Sequence, residues 1–177
     1  MDHLAGIAIR LARATDAAQL PAVEGAAGAL FRTLPELAWV ADEPLGAPAE
    51  FLPLIAAGTV WVAEHGQAGV IGELRAEICG NALHILELAV TVQFQQRGIG
   101  RRLLDAARDA ARERGLRALT LTTFRHVAWN APFYARYGFV EVPQADIDER
   151  LAGVVHAEEA RGLPNRCAMR MTLAEVR

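Results

Sequence analysis

Residues 90–108, VTVQFQQRGIGRRLLDAAR, decide how this chain is read. Apolar, strand-like residues run out at Val92, a polar turn follows, and Gln95, Gly98 and Gly100 then open an Ala/Leu/Arg stretch with helical periodicity. The first turn of a helix carries N–H groups with no intrahelical partner and the positive end of a dipole worth about half an elementary charge. Glycines at 98 and 100 let an anion reach that backbone with no Cβ in the way, a geometry suited to a pyrophosphate. A tight strand-to-helix turn is the plainer account of the same two glycines. The stretch is not a P-loop, which needs Lys-Ser/Thr after its second glycine. Nor is it a dinucleotide fingerprint, which needs three glycines and an acid at the end of the next strand. Arg101 and Arg102 stand there instead.

Outward from this turn, strands alternate with helices. ALHILELAV (82–90) precedes it, and ALTLTTF (118–124) follows a helix that Gly115 can end. Strand, helix and strand at this spacing form a βαβ unit, so the two strands should be parallel neighbours joined by a right-handed crossover. Upstream, TVWVAE, GVIGELRAEI and ALHILELAV are split by the turns HGQAG and CGN, which predicts an antiparallel meander. IAIRLAR (7–13) reads as a first strand, AAQLPAVEGAAGALF as a helix made uneven by Pro21 and Gly25, and PAEFLPLIAAG (48–58) as a second helix after a loop. Downstream come a short helix in WNAPFYARYG, a strand FVEV, a polar and acidic connection over 143–166 and a last strand RCAMRMTL. The fold class is α/β with a mixed sheet.

A chain of 177 residues, 53% of them hydrophobic, can bury one proper core, and we expect a single domain over 1–177. The formal charge of −3, with basic residues scattered or on a helix face, argues against a nucleic-acid partner. Cys79 and Cys167 lie far apart and in no CxxC pair, implying reduced, buried side chains and no metal centre. The start, MDHLAGIAIRLARATD, lacks a basic region before a long apolar run, and no segment reaches the roughly 20 apolar residues that span a bilayer. A cytoplasmic protein with no membrane partner is the expectation.

Gln95-x-x-Gly98-x-Gly100, the LELAV strand before it and NAPFYARYGF after it occur in order and at matching separation. Together they resemble the GNAT superfamily of acyl-CoA-dependent N-acetyltransferases, over about residues 7–173, with the specific motifs in 87–101 and 129–139. The resemblance implies a mostly antiparallel sheet with a central, splayed parallel pair, flanked by helices. It implies acetyl-CoA as co-substrate, with the pyrophosphate on the backbone of Gln96, Arg97, Gly98, Ile99, Gly100 and Arg101 and with Gln95 in the motif's first place. The pantetheine arm would pair with Leu88, Ala89 and Val90 like an added strand. Arg101 and Arg102 are either phosphate ligands or solvated helix-face residues.

In the second motif Asn130 can cap a short helix whose first turn holds Pro132, and Gly138 closes it. By resemblance, Tyr134, four residues before Gly138-Phe139, protonates the departing thiolate; packing into the sheet is its alternative. Tyr137 reads as packing. The family's asparagine commonly lies two helical turns before the tyrosine, whereas Asn130 lies four residues before it, so Asn130 is either a cofactor contact or a pure cap. Glu87, an acid inside the apolar run HILELAV, is a candidate base or amine anchor, or else pairs with an arginine or faces solvent. His84, three residues away, points to the other face of a regular strand, and only a bulge could bring both to the site to take the amine proton. His126 and Trp129 flank the motif and can line an acceptor pocket.

The reaction implied is direct transfer of an acetyl group from acetyl-CoA to a primary amine of a small molecule. A non-catalytic acyl-CoA-binding module, or a transferase for another acyl group or acceptor, are the alternatives. A homodimer is a habit of the family. Acids in the presumed substrate segments (Glu36, Asp42, Glu43, Asp146, Asp148, Glu149, Glu158, Glu159) suggest a cationic acceptor.

Overall fold

The computed structural model describes residues 6–174. Seven strands form one sheet in the order β1-β2-β3-β4-β5-β7-β6. These are β1 (Ile7–Leu11), β2 (Val60–His65), β3 (Gly69–Cys79), β4 (Ala82–Val90), β5 (Ala118–Phe124), β6 (Val140–Glu141) and β7 (Arg166–Thr172). The helices are α1 (Leu20–Gly28), α2 (Pro48–Ala56), α3 (Ile99–Glu113), α4 (Ala131–Tyr137) and α5 (Glu149–Ala160). The sheet is mixed and mostly antiparallel. Its parallel pair is β4 with β5, as the βαβ spacing requires, in register from Ala82↔Ala118 to Ile85↔Leu121.

The residues group into two compact units. The first runs to Glu77 and again over Glu87–Asp109; the second comprises Ile78–Leu86 and everything from Ala110 onward. The first unit has its own core, in which Leu20 and Val23 of α1 and Phe51 of α2 meet Val60, Val62, Val70 and Ala89 of the strands. Ile99, Leu103, Leu104 and Ala107 form a buried stripe along α3, the spacing that puts side chains on one face of a helix. Each leucine so buried contributes about 1.5–3 kcal/mol. In the second unit β5 pairs with β7 along its whole length, from Ala118↔Thr172 to Phe124↔Arg166. Buried there are Leu119, Leu121, Tyr134, Phe139, Leu151, Ala168 and Met169.

Two sequence expectations are corrected. The loop expected over 36–47 is largely a 3-10 helix, Pro35–Asp42, begun at a proline whose missing N–H would have been orphaned there anyway. The polar connection over 143–166 contains α5. Asp148 Oδ1 accepts from Leu151 N at 2.8 Å, supplying the N-cap that lets this mixed stretch start as a helix.

Candidate functional site

Between β4 and α3 the chain makes one 3-10 turn, Val92–Phe94, and then two left-handed residues, Gln96 (φ 59°) and Gly98 (φ 76°). Glycine adopts that conformation without steric cost, whereas Gln96 holds it at about 1 kcal/mol or more. A Cβ placed on Gly98 would meet no atom within 4 Å among the described residues beyond the adjoining backbone. Gln96, Arg97 and Gly98 are exposed while Ile99 is buried, so the helix start is anchored by its apolar residue and the turn before it stands open. The amide of Arg102 makes the first α-helical bond, to Gly98 O at 3.1 Å; the N–H groups ahead of it belong to the helix's first turn and have no intrahelical acceptor.

Gln95 braces this turn from within. Its Nε2 donates to Val90 O at 2.8 Å, tying the loop to the strand it leaves. Of the two arginines, Arg102 donates from Nη2 to Ile7 O at 3.0 Å and so fastens β1, while Arg101 is exposed. The Arg97 guanidinium lies 5.3 Å from the Phe94 ring centroid. Thr91 N donates to Ile71 O at 2.9 Å, and a Cβ on Gly72 would lie 3.1 Å from Ala89 O. Residues 89 and 91 therefore turn their backbone groups toward β3. By strand alternation Leu88 and Val90 turn theirs to the other edge. Of the three residues proposed to hold an extended ligand arm, Leu88 and Val90 have the orientation for it. A cavity of about 270 Å³ adjoins this end of β4, lined by Ala26, Ala68, Val70, Ile71 and Thr91 to Phe94.

Half-buried Glu87 belongs to a charged group in the first unit that includes Glu73, a residue the sequence reading passed over. Glu73 is fully buried in β3. Arg75 donates from Nη2 to Glu24 Oε2 at 2.7 Å, its Nε lies 3.2 Å from Glu73 Oε2, and its guanidinium sits 4.5 Å from the Phe51 ring centroid. Burial pushes the Glu73 carboxyl up to about 8; Arg75 opposes the rise, and the charges of Glu87 and Glu24 add to it. The sequence hides it: Glu73, Arg75 and Glu77 alternate with Leu74, Ala76 and Ile78 like the polar face of an ordinary strand. His84 lies in the second unit, buried, with Nδ1 3.0 Å from Thr120 Oγ1, and is engaged there in joining β4 to β5.

The second motif forms α4. Asn130 occupies the N-cap position without the expected side-chain cap bond; its backbone carbonyl instead accepts from Phe133 N at 2.8 Å and Tyr134 N at 3.1 Å. Its Oδ1 is buried and has no hydrogen-bond partner among the described residues. Gly138, at φ 121°, closes the helix. Tyr134 is 8% exposed, its ring edge-on to Phe133 and Phe139 at centroid distances of 5.2 and 5.6 Å. Tyr137 packs on Phe139, as expected. His126 is exposed and Trp129 half-buried.

Several acids expected to attract a cationic substrate have structural partners. Asp42 pairs with Arg32, Asp148 caps α5, and Glu158 accepts from Arg166 Nε and Nη2 (2.8 and 2.9 Å) and from Thr122 Oγ1 (2.8 Å). Among the described residues no three His, Cys, Asp or Glu side chains come together to hold a metal ion, and no helix is long and apolar enough to cross a membrane.

Residues 56–141 match the family model of the acetyltransferase (GNAT) domain. The fold is similar to that of PaiA N-acetyltransferase from Thermoplasma acidophilum, solved with coenzyme A, at 18% identity and TM-score 0.69, covering 94% of this chain and 99% of that one. It is similar to N-acetylglutamate synthase from Neisseria gonorrhoeae, solved with coenzyme A and N-acetyl-glutamate, at 20% identity and TM-score 0.67, over 96% of this chain and 35% of that one. The ribosomal-protein-S18-alanine N-acetyltransferase from Escherichia coli matches at 16% identity and TM-score 0.66, over 97% and 96% of the two chains. At these identities the likeness establishes the fold.

Proposed function

For this chain, whose residues 56–141 match the acetyltransferase (GNAT) domain, we propose a reaction in which acetyl-CoA and a primary amine meet in one ternary complex and the acetyl group passes directly to nitrogen. The observation that carries this reading is the turn Gln95–Arg101: two left-handed residues, an open glycine and a helix start whose amides suit a pyrophosphate. Leu88 offers its backbone groups, and Val90 its N–H, to the pantetheine arm, the Val90 carbonyl being held by Gln95. The amine nitrogen attacks the thioester carbonyl, the C–N bond forms, and the C–S bond breaks. Glu87 takes the proton the amine loses, and the Tyr134 hydroxyl gives one to the departing thiolate. Orientation of the two substrates supplies most of the rate. Neither step uses a metal.

The test is release of free CoA thiol from acetyl-CoA across a panel of small amines. CoA binding without release above hydrolysis would leave a binding module in place of an enzyme. Two variants bear on the parts. Gln95→Ala removes one hydrogen bond from the turn, worth about 0.5–1.5 kcal/mol, so titration calorimetry should show CoA binding about three- to tenfold weaker with kcat little changed. Glu87→Gln should lower kcat/KM at neutral pH by roughly 100-fold, flatten the ascending limb of its pH profile and move the optimum toward the pH at which the free amine predominates. An unaltered profile would remove Glu87 from the base role.

A further inference from the structure

Glu73 has no part in the scheme above, yet it is the most anomalous side chain in the first unit. It is fully buried, and neither of its oxygens has a hydrogen bond among the described residues. A buried carboxylate is tolerated when its lone pairs are satisfied by donors. Among the described residues the cation within reach is Arg75, at 3.2 Å, and that guanidinium makes its shorter bond to Glu24 and lies over the Phe51 ring. Around Glu73 stand Arg75 from its own strand, Glu24 from α1, Glu87 from β4 and, opposite it on β2, the apolar Val62. Gly72, the preceding residue, lies against Ala89 and Val90, which sets this part of β3 along the half of β4 that carries Glu87.

Two carboxyl groups near one another in a site of low dielectric do not both ionise; the pair holds one proton, and the member with less access to water and donors keeps it. Glu73 is fully buried and Glu87 half-buried, so the asymmetry is built into the strands. We propose that Glu73 is a positioning residue which retains the single proton of a Glu73/Glu87 pair at neutral pH, leaving Glu87 as the ionised member that receives the acceptor's proton. The inference rests on the reading of Glu87 as the base. In the transfer step the amine's proton moves to the Glu87 carboxylate and the Glu73 proton stays where it is, so no further reactant enters.

Infrared difference spectroscopy tests the pairing without any turnover. The wild-type protein at about pH 6.5, well above the usual carboxylate range, should show a protonated carboxyl band that Glu73→Gln lacks. Glu73→Asp, which shifts the band, provides the same assignment if the glutamine variant does not fold. On titration the band should disappear with a midpoint near 8 in the wild type. In Glu87→Gln, where the neighbouring charge is gone, that midpoint should fall by about a unit. The alkaline arm of the kcat/KM profile should carry an inflection near the same pH that Glu73→Gln lacks. Absence of the band at about pH 6.5, or a midpoint unmoved in Glu87→Gln, overturns the pairing whatever the rates. Wild-type turnover in Glu87→Gln, whatever the spectrum, overturns the base reading and the positioning role with it.

Discussion

Gly98→Val should abolish the thermal shift that CoA gives the wild-type protein. A ligand held at a hundred times its dissociation constant adds about 2.7 kcal/mol, which for a chain of this size is a rise in Tm of roughly 5–10 °C. The substitution acts in two ways of different size. Valine at φ 76° is strained, at about 1–3 kcal/mol, so the free protein should melt somewhat lower yet still fold, since among the described residues no atom beyond the adjoining backbone lies within 4 Å of the new Cβ. The larger effect falls on the ligand: the branched side chain occupies the space through which phosphate oxygens reach the helix amides. Calorimetry should then detect CoA binding weakened by at least about 100-fold. A Gly98→Val protein with the wild-type ligand shift would remove the phosphate-cradle reading.

Tyr134→Phe should lower kcat by roughly ten- to a few-hundred-fold while sparing CoA affinity. The effect belongs at the lower end of general-acid contributions, because a thiol of pKa near 8.5 leaves tolerably as its anion. Phenylalanine keeps the edge-on contacts with Phe133 and Phe139, so the fold should be undisturbed and the experiment isolates the hydroxyl. The measurement is kcat at saturating amine beside CoA affinity for the same preparation. A folded variant that binds CoA and turns over at the wild-type rate would reduce Tyr134 to a packing residue.

Much of this architecture is legible in the sequence because its central elements carry strong local signals. ALHILELAV and ALTLTTF become β4 and β5 residue for residue, and the spacing between them dictates the parallel pair. What escapes is decided by single residues whose meaning depends on context. In α5 the deciding group is Asp148, one acid among many in a polar stretch, and only the folded chain shows that its oxygen caps the helix. Asn130 reads as a side-chain cap, but the backbone carbonyl does that work and the amide oxygen is left over. For Gln95 the motif gives the place and the structure gives the task, an internal brace to Val90. Glu73 is masked by its pattern: with Arg75 and Glu77 it makes the polar side of an alternating strand, and the burial of that side does not appear in strand periodicity.

The buried Glu73 also means that folding takes up a proton. In the unfolded chain this carboxyl titrates at its ordinary 4.5, and in the folded protein at about 8. Below 4.5 both states hold the proton and the residue is neutral toward stability. Between those values only the folded state holds it, so stability falls as pH rises through this interval and levels off above 8, by an amount on the order of several kcal/mol. This runs against the paired acids of the chain, such as Asp16, whose bidentate bonds to Arg10 hold it below the usual range and are lost as pH falls. In Glu73→Gln the alkaline decline should be missing from denaturant midpoints measured across the interval. The protein's own proton content would then report whether it is folded.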